Sequence, residues 1–238
     1  MDDLRVCLSR AGIEAEESSL QKLRTYEEML LEWNGRMDLT SVSGADTAQR
    51  HFLDSLMPLE TPGLIPQGCR LIDVGSGAGF PGLPLGIVRP DLRVTLLEAQ
   101  GKRCRFLRAV CDALALSNVR IVQDRAEIAG QMAEHRERYD RAVARAVAPL
   151  NLLCEYLLPF VKVGGMALCW KGPAAAAEMR DGAAAARVLG GEIGETRETP
   201  AGDTRHILVC IHKNQKTLPQ YPRKNGIPAK RPLKCEEK

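Results

Sequence analysis

Apolar residues recur at spacings of three and four along the first part of the chain. Leu20, Leu23, Tyr26, Leu30, Trp33 and Met37 fall on one stripe, the pattern of a helix laid on a core. Ser18 or Ser19 is placed to cap it. A second helix is expected through Phe52, Leu53 and Leu56, capped by Ser43 or Asp46. Residues 2 to about 60 therefore read as a helical extension. Two prolines and two glycines between Thr61 and Gly68 read as a linker.

Beyond it the period changes. Short apolar runs at 70–74, 93–97, 119–122, 140–144, 166–170 and 206–212, with a weaker one near 187–196, read as strands. Helical patterns lie between most of them. One covers 102–114, with Phe106, Leu107, Val110, Cys111 and Leu114 on one face; another follows Pro173 through the Ala-rich stretch 174–186, at a cost of about 1 kcal/mol for Gly182 inside it. A further helix is expected at 127–134. Strands alternating with helices predict a mostly parallel sheet covered on both faces. From Lys213 onward no periodic apolar pattern survives, and Pro219, Pro222, Pro228 and Pro232 exclude a long regular helix. The expected organisation is a helical extension over 1–60, an α/β domain over 61–212 and a C-terminal tail over 213–238.

At 238 residues the chain fits one large domain or one domain with an appendage. The eight cysteines show no C-x-x-C spacing, and several sit in apolar runs. They read as reduced core thiols of a cytoplasmic protein, with no metal site. Asp2, Asp3 and Arg5 break any leader-like apolar run, and no stretch approaches the roughly 20 apolar residues of a membrane helix. The net charge of +3 is unevenly spread: residues 213–238 hold eight Lys/Arg against Glu236 and Glu237, which leaves the remainder acidic. A basic tail points to an anionic partner.

The chemistry centres on Leu71 to Gly82, LIDVGSGAGFPG. A strand running into closely spaced glycines and then a helix brings backbone N–H groups against a ligand. Gly77 to Gly82 matches G-x-G-x-x-G, the dinucleotide fingerprint. Taken from Asp73, the stretch reads D-x-G-x-G-x-G, which resembles the first motif of S-adenosylmethionine-dependent methyltransferases. The second register is preferred because it ends the strand at Asp73-Val74 rather than at Gly75-Ser76. Asp73 then holds the turn or faces the cofactor amine, and Gly75, Gly77 and Gly79 form the loop. Glu98 ends the next strand, where an acid can accept both ribose hydroxyls. The loop after the third strand, Gln123 to Glu127, either reads an adenine edge or simply caps a helix.

The fourth strand runs into Arg145-Ala146-Val147. The Asp/Asn-Pro-Pro-aromatic motif that holds an exocyclic amine is absent there, which argues against methylation of adenine or cytosine amino groups. A Pro-Cys nucleophile is absent too. Arg145 is a permanent cation for a cofactor carboxylate, an RNA phosphate or an ordinary ion pair. Lys171 occupies a similar strand end. Arg50 and His51 either face the ligand crevice or, as a lone His beside an apolar face, are structural.

Taken together these stretches are similar to the bacterial rRNA small-subunit methyltransferase G family, also called glucose-inhibited division protein B. The likeness is carried by Trp33-Asn34 through Leu39-Thr40, Arg50 to Leu56, Ile72 to Gly82, Lys102-Arg103 with Phe106-Leu107, Arg125 to Glu127, Arg145-Ala146, Lys171-Gly172, and Tyr221 to Lys224 with Gly226, Pro228, Lys230 and Pro232. It implies a Rossmann-like class I S-adenosylmethionine-dependent fold, a mostly parallel seven-stranded sheet with the last strand antiparallel. It further implies transfer of a methyl group to N7 of guanine 527, in the 530 loop of 16S rRNA. Cofactor contacts carried over by position are Gly75, Phe80, Ala126, Glu127 and Arg145. Ala99-Gln100-Gly101 departs from the small hydroxyl residue more often found after the second-strand acid. RNA contacts are expected from Arg50, His51, Lys102, Arg103, Arg105, Arg145, Lys171, Arg223, Lys224 and Lys230, in a monomer bound to 16S rRNA or the small subunit. Other functions weighed are a small-molecule methyltransferase, a nicotinamide-dependent oxidoreductase and a non-catalytic RNA-binding protein.

Overall fold

A computed structural model describes residues 2–37, 45–201 and 204–235. Seven strands form one sheet: β1 (Arg70–Val74), β2 (Arg93–Glu98), β3 (Val119–Gln123), β4 (Tyr139–Arg145), β5 (Val161–Lys171), β6 (Gly191–Ala201) and β7 (Thr204–Lys213). Their spatial order is β3-β2-β1-β4-β5-β7-β6. β1 is parallel to β2 and β4, and β7 alone runs antiparallel to its neighbours β5 and β6. The order reverses between β1 and β4, so the carboxyl ends of these two strands open a crevice where α/β sheets bind ligands.

One face is covered by α1 (Asp2–Arg10), α2 (Glu17–Met37), α3 (Ala45–Leu56), α4 (Gly82–Val88) and α5 (Gly101–Ala113). The other carries α6 (Ala126–Ala129), α7 (Leu150–Leu157) and α8 (Ala175–Val188). The stripe expected on α2 is the one that packs: Leu20, Leu23, Tyr26 and Leu30 are buried, and Trp33 lies against Phe106 with ring centroids 5.6 Å apart. Burial of such side chains, at about 1.5–3 kcal/mol each, holds the extension onto the sheet.

Several expectations change in detail. α2 begins at Glu17, ahead of both serines. Ser18 donates to Glu16, while Ser19 is buried and donates to the Ile87 carbonyl at 3.0 Å, so neither caps the helix and Ser19 ties α2 to α4. Ser43 and the Asp46 side chain lie outside the described residues. The helix expected at 127–134 is a single turn, α6, followed by further turns. The weak strand near 187–196 begins later, because the Ala-rich helix α8 continues to Val188. Gly182 within α8 is there for close approach: a Cβ would stand 2.6 Å from the Leu150 side chain of α7. The Thr61–Gly68 connection is packed, with Leu64 and Ile65 buried and the Leu64 carbonyl held by the Arg141 guanidinium at 2.6 Å.

The chain after β7 is packed as well. The Arg136 guanidinium donates to the carbonyls of Thr217, Leu218 and Tyr221, and the Gln131 amide to those of Pro219 and Pro222. Asn151 donates to the Leu233 carbonyl. A last short helix, α9 (Ile227–Lys230), places Pro228 in its first turn, where a missing N–H costs nothing. The six cysteines 69, 104, 111, 154, 169 and 210 are buried and all eight are free. Burial pushes the Cys69 and Cys154 thiols up to about 12, which makes them inert core groups.

Candidate functional site

The glycine loop turns immediately above β1. Gly75, Gly77 and Gly79 have φ of +73°, +60° and +106°, the left-handed region that side chains rarely adopt. Gly82, at the start of α4, has no room for a Cβ: it would stand 2.6 Å from Leu96 and 2.7 Å from the Asp73 carboxylate. Asp73 is fully buried, and its Oδ2 accepts the Gly82 N–H at 2.8 Å, so it closes the loop from beneath. Burial pushes its carboxyl up to about 7, against the pull of the Gly82 N–H, and Oδ1 has no hydrogen-bond partner. Of the two roles expected for Asp73, holding the turn is the one this geometry provides.

Beside the loop lies a cleft of about 260 Å³, walled by Val74 and Gly75 of the loop, Glu98 and Ala99 after β2, Ala126 and Glu127 of α6, Ala146 and Val147 after β4, and Tyr156 of α7. Glu98 faces it with its two oxygens fixed by backbone donors: Gly77 N–H at 2.9 Å and Gln100 N–H at 2.7 Å. Arg103 stands 3.8 Å from the same carboxylate. Ala146 is held at φ +56°, a strained conformation for alanine that sits in the cleft wall. The residues present fit an adenosine-bearing group: small side chains line the walls, and an oriented carboxylate ends β2. A larger hollow of about 510 Å³ between α1 and α2 offers no such arrangement of groups around a loop at a strand end.

Phe80 and Arg145 lie on the other side of the loop, under α3. Arg145 is 8 % exposed and its Nη1 donates to the Asp54 carboxylate at 3.0 Å, the His51 carbonyl at 3.2 Å and Ser55 Oγ at 3.3 Å. Its guanidinium carbon stands 4.8 Å from the centre of the Phe80 ring, a cation–π distance. Phe80 in turn packs on Tyr26, Phe52 and His51 at 5.4–5.6 Å between ring centres. Asp54 also meets His206 Nδ1 at 3.0 Å, and its carbonyl accepts the Trp170 indole N–H at 2.9 Å. One buried residue thus joins four elements: its carboxylate ties α3 to β4 and β7, and its carbonyl ties α3 to β5.

The expected site residues therefore separate into groups. Gly75, Gly77, Glu98, Ala126 and Glu127 share the cleft or its rim, while Phe80 and Arg145, expected as cofactor contacts, do not line it: they lie on the α3 side of the loop, stacked on each other with Arg145 paired to Asp54. Burial, with the Arg145 charge adding to it, lowers His51 to about 4, so at neutral pH it is an uncharged ring on Phe80 and not a phosphate-binding cation. The Arg50 side chain lies outside the described residues. Lys171 is committed to Glu178 at 2.7 Å and to the Ala148 carbonyl at 2.8 Å, and Arg223 to a bidentate pair with Glu155 at 2.6–2.9 Å. Lys102, Arg105, Lys224 and Lys230 are exposed. Asp54, His206 and Glu155 organise the site but received no role from the sequence, and Tyr26 was read only as part of the core stripe of α2. For Asp54 a signal existed: His51, Asp54 and Ser55 share one helix face at spacings of three and four.

A sequence profile of the family described as rRNA small subunit methyltransferase G matches residues 19–208. This chain belongs to that family. It is 46% identical over 226 residues to the ribosomal RNA small subunit methyltransferase G of Alkaliphilus metalliredigens, covering 94% of both chains. The protein of that name from Leuconostoc citreum is 45% identical over 230 residues, covering 95% of this chain and 96% of its own. Among solved structures, a 16S rRNA (adenine(1408)-N(1))-methyltransferase variant from Catenulisporales acidiphilia, with its cosubstrate SAM, superposes with a TM-score of 0.50 at 17% identity, over 63% of this chain and 87% of that one. A Methanococcus jannaschii fibrillarin pre-rRNA processing protein does so at 0.51 and 18%, over 63% and 69%. At that identity the likeness is one of fold. Family membership makes the chain an S-adenosylmethionine-dependent rRNA methyltransferase, and with it the dinucleotide reading of Gly77–Gly82 falls away.

Proposed function

We propose that this protein methylates N7 of a single guanine in the 530 loop of 16S rRNA. The observation that carries the reading is the end of β4. Arg145-Ala146-Val147-Ala148 supplies no side-chain amide and no paired prolines to hold an exocyclic amine, and Arg145 is turned away into the Asp54 pair. Guanine N7 has a free lone pair and no proton to remove, so it asks for neither. Bound in the cleft, S-adenosylmethionine would supply an electrophilic methyl group. The chain's own contribution is then placement: Glu98, oriented by Gly77 and Gln100, and the small walls at Ala99, Ala126 and Ala146 would fix one partner so that the other approaches in line. No general base is required. The Arg145–Asp54 pair supports this, since an arginine bidentate on guanine O6 and N7 would mask the nucleophile.

RNA would be drawn by exposed cations, Lys102 and Arg105 on α5, which also carries Arg103 at the cleft rim, and Lys224 and Lys230 after β7. If about four phosphates are neutralised, log affinity should fall with log salt at a slope near −3. The test is transfer of labelled methyl from S-adenosylmethionine to small subunits from cells lacking the gene, followed by nucleoside analysis. Labelled 7-methylguanosine is expected; label in another nucleoside, or none on RNA, overturns the reading.

A further inference from the structure

The element carrying Glu127 is too short to hold itself. α6 has four residues, and a single turn gains little from its own hydrogen bonds. Glu127 is nevertheless 5 % exposed, and its Oε1 accepts a hydrogen bond from the backbone N–H of Gly226, ninety-nine residues later, at 3.1 Å. Gly226 can offer that N–H because it takes φ +79°. Three residues before it, Arg223 is anchored to Glu155 through its backbone N–H and both ends of its guanidinium. Glu155 is 1 % exposed on its side chain and adjoins Tyr156, which walls the cleft. Immediately before these anchors Pro222 presses on Gly130, where a Cβ would stand 2.9 Å from its ring. One wall of the cleft is therefore held from outside by the chain after β7.

We propose that residues 217–226 are a positioning element for the methyl donor: Arg223, locked to Glu155, sets the Gly226 N–H that orients the Glu127 carboxylate in the cleft wall, so donor affinity depends on this segment. The inference rests on the donor occupying that cleft. Because coupling is reciprocal, donor binding must also tighten the segment.

The first test is titration of S-adenosylhomocysteine into the full chain. Arg223→Ala is expected to weaken it by about tenfold, within the range usual for coupled sites, and to raise the donor KM while leaving kcat at saturating donor unchanged. Asp181→Ala, which removes the acceptor of the Cys235 N–H nine residues beyond that segment, is expected to leave the affinity within twofold. Equal weakening by both variants would mean a general loosening and overturn the proposal. Unchanged affinity in Arg223→Ala would overturn it too, while leaving the cleft assignment intact. If the wild-type chain failed to bind S-adenosylhomocysteine, the cleft assignment itself would fall. Should Arg223→Ala not fold, hydrogen exchange on the wild-type chain decides: amides of 217–230 must gain protection when the donor analogue saturates, and unaltered exchange there overturns the proposal.

Discussion

The N-terminal helices and the segment after β7 pack on opposite faces of one sheet, the helices reaching the glycine loop and the segment reaching Glu127 in the cleft wall. They hold on by different means. The helices insert side chains: Tyr26 and Phe52 are fully buried against Phe80, and the Tyr26 hydroxyl donates to the Ala78 carbonyl within the glycine loop. The C-terminal segment is gripped by its backbone. Arg136, Gln131 and Asn151 reach out from the domain to its carbonyls, and Glu137, Glu127, Glu155 and Asp181 accept its N–H groups. Apolar periodicity records the first kind of attachment and is silent about the second, because a backbone carbonyl is the same for every residue.

The contrast can be broken most forcefully at Asp54. Its removal in Asp54→Ala leaves the Arg145 guanidinium buried without its carboxylate, a loss of about 3–5 kcal/mol, read by urea unfolding. A loss below about 1 kcal/mol would mean the N-terminal face needs no ionic joint. Arg136→Ala removes the charged donors from three tail carbonyls and is expected to cost roughly 2–3 kcal/mol, with hydrogen exchange rising over 217–223 and not in α2. Equal exchange in both regions would erase the distinction.

A third prediction concerns the loop between the two regions. The Asp73 carboxyl is raised from 3.8 to about 7 by burial. Between those values the folded chain binds a proton that the unfolded chain has released, so this group's contribution to stability falls as pH rises from about 4 to about 7. The slope is at most one proton, about 1.4 kcal/mol per pH unit. Asp73→Asn, which can still accept the Gly82 N–H, should flatten that part of the stability profile; an unaltered profile would place the titration elsewhere. The smallest effect is at the exposed rim of the tail. Lys224→Ala should leave stability within about 0.5 kcal/mol and reduce the salt slope of RNA binding by about 0.7; an unchanged slope would remove Lys224 from the RNA surface.

Much of this was legible from residue order. Strand positions followed from short apolar runs, and the loop from Asp73 and its glycines, because each needs a particular residue type at a particular place. Glu98 was legible as an acid at a strand end, though not that Gly77 and Gln100 orient it. The roles of Asp54 and His206 were not legible: they meet only through a sheet that brings together positions 152 residues apart. Lys171 and Arg223 looked like free cations because a sequence shows charges and not their partners, Glu178 and Glu155. The tail was read as a basic end for an anionic partner because its fixings are polar side chains scattered over turns and helices far away in the sequence, Arg136 and Gln131 in turns, Asn151 and Glu155 on α7, and none of them forms a pattern.

The most direct test of the account is mass mapping of 16S rRNA after incubation of hypomethylated small subunits with the protein and S-adenosylmethionine. The account predicts one added methyl group, on a fragment of the 530 loop, at a guanine that becomes sensitive to the mild chemical cleavage that follows N7 alkylation. A methyl group elsewhere in the RNA, or at that loop on an atom other than N7, would contradict it.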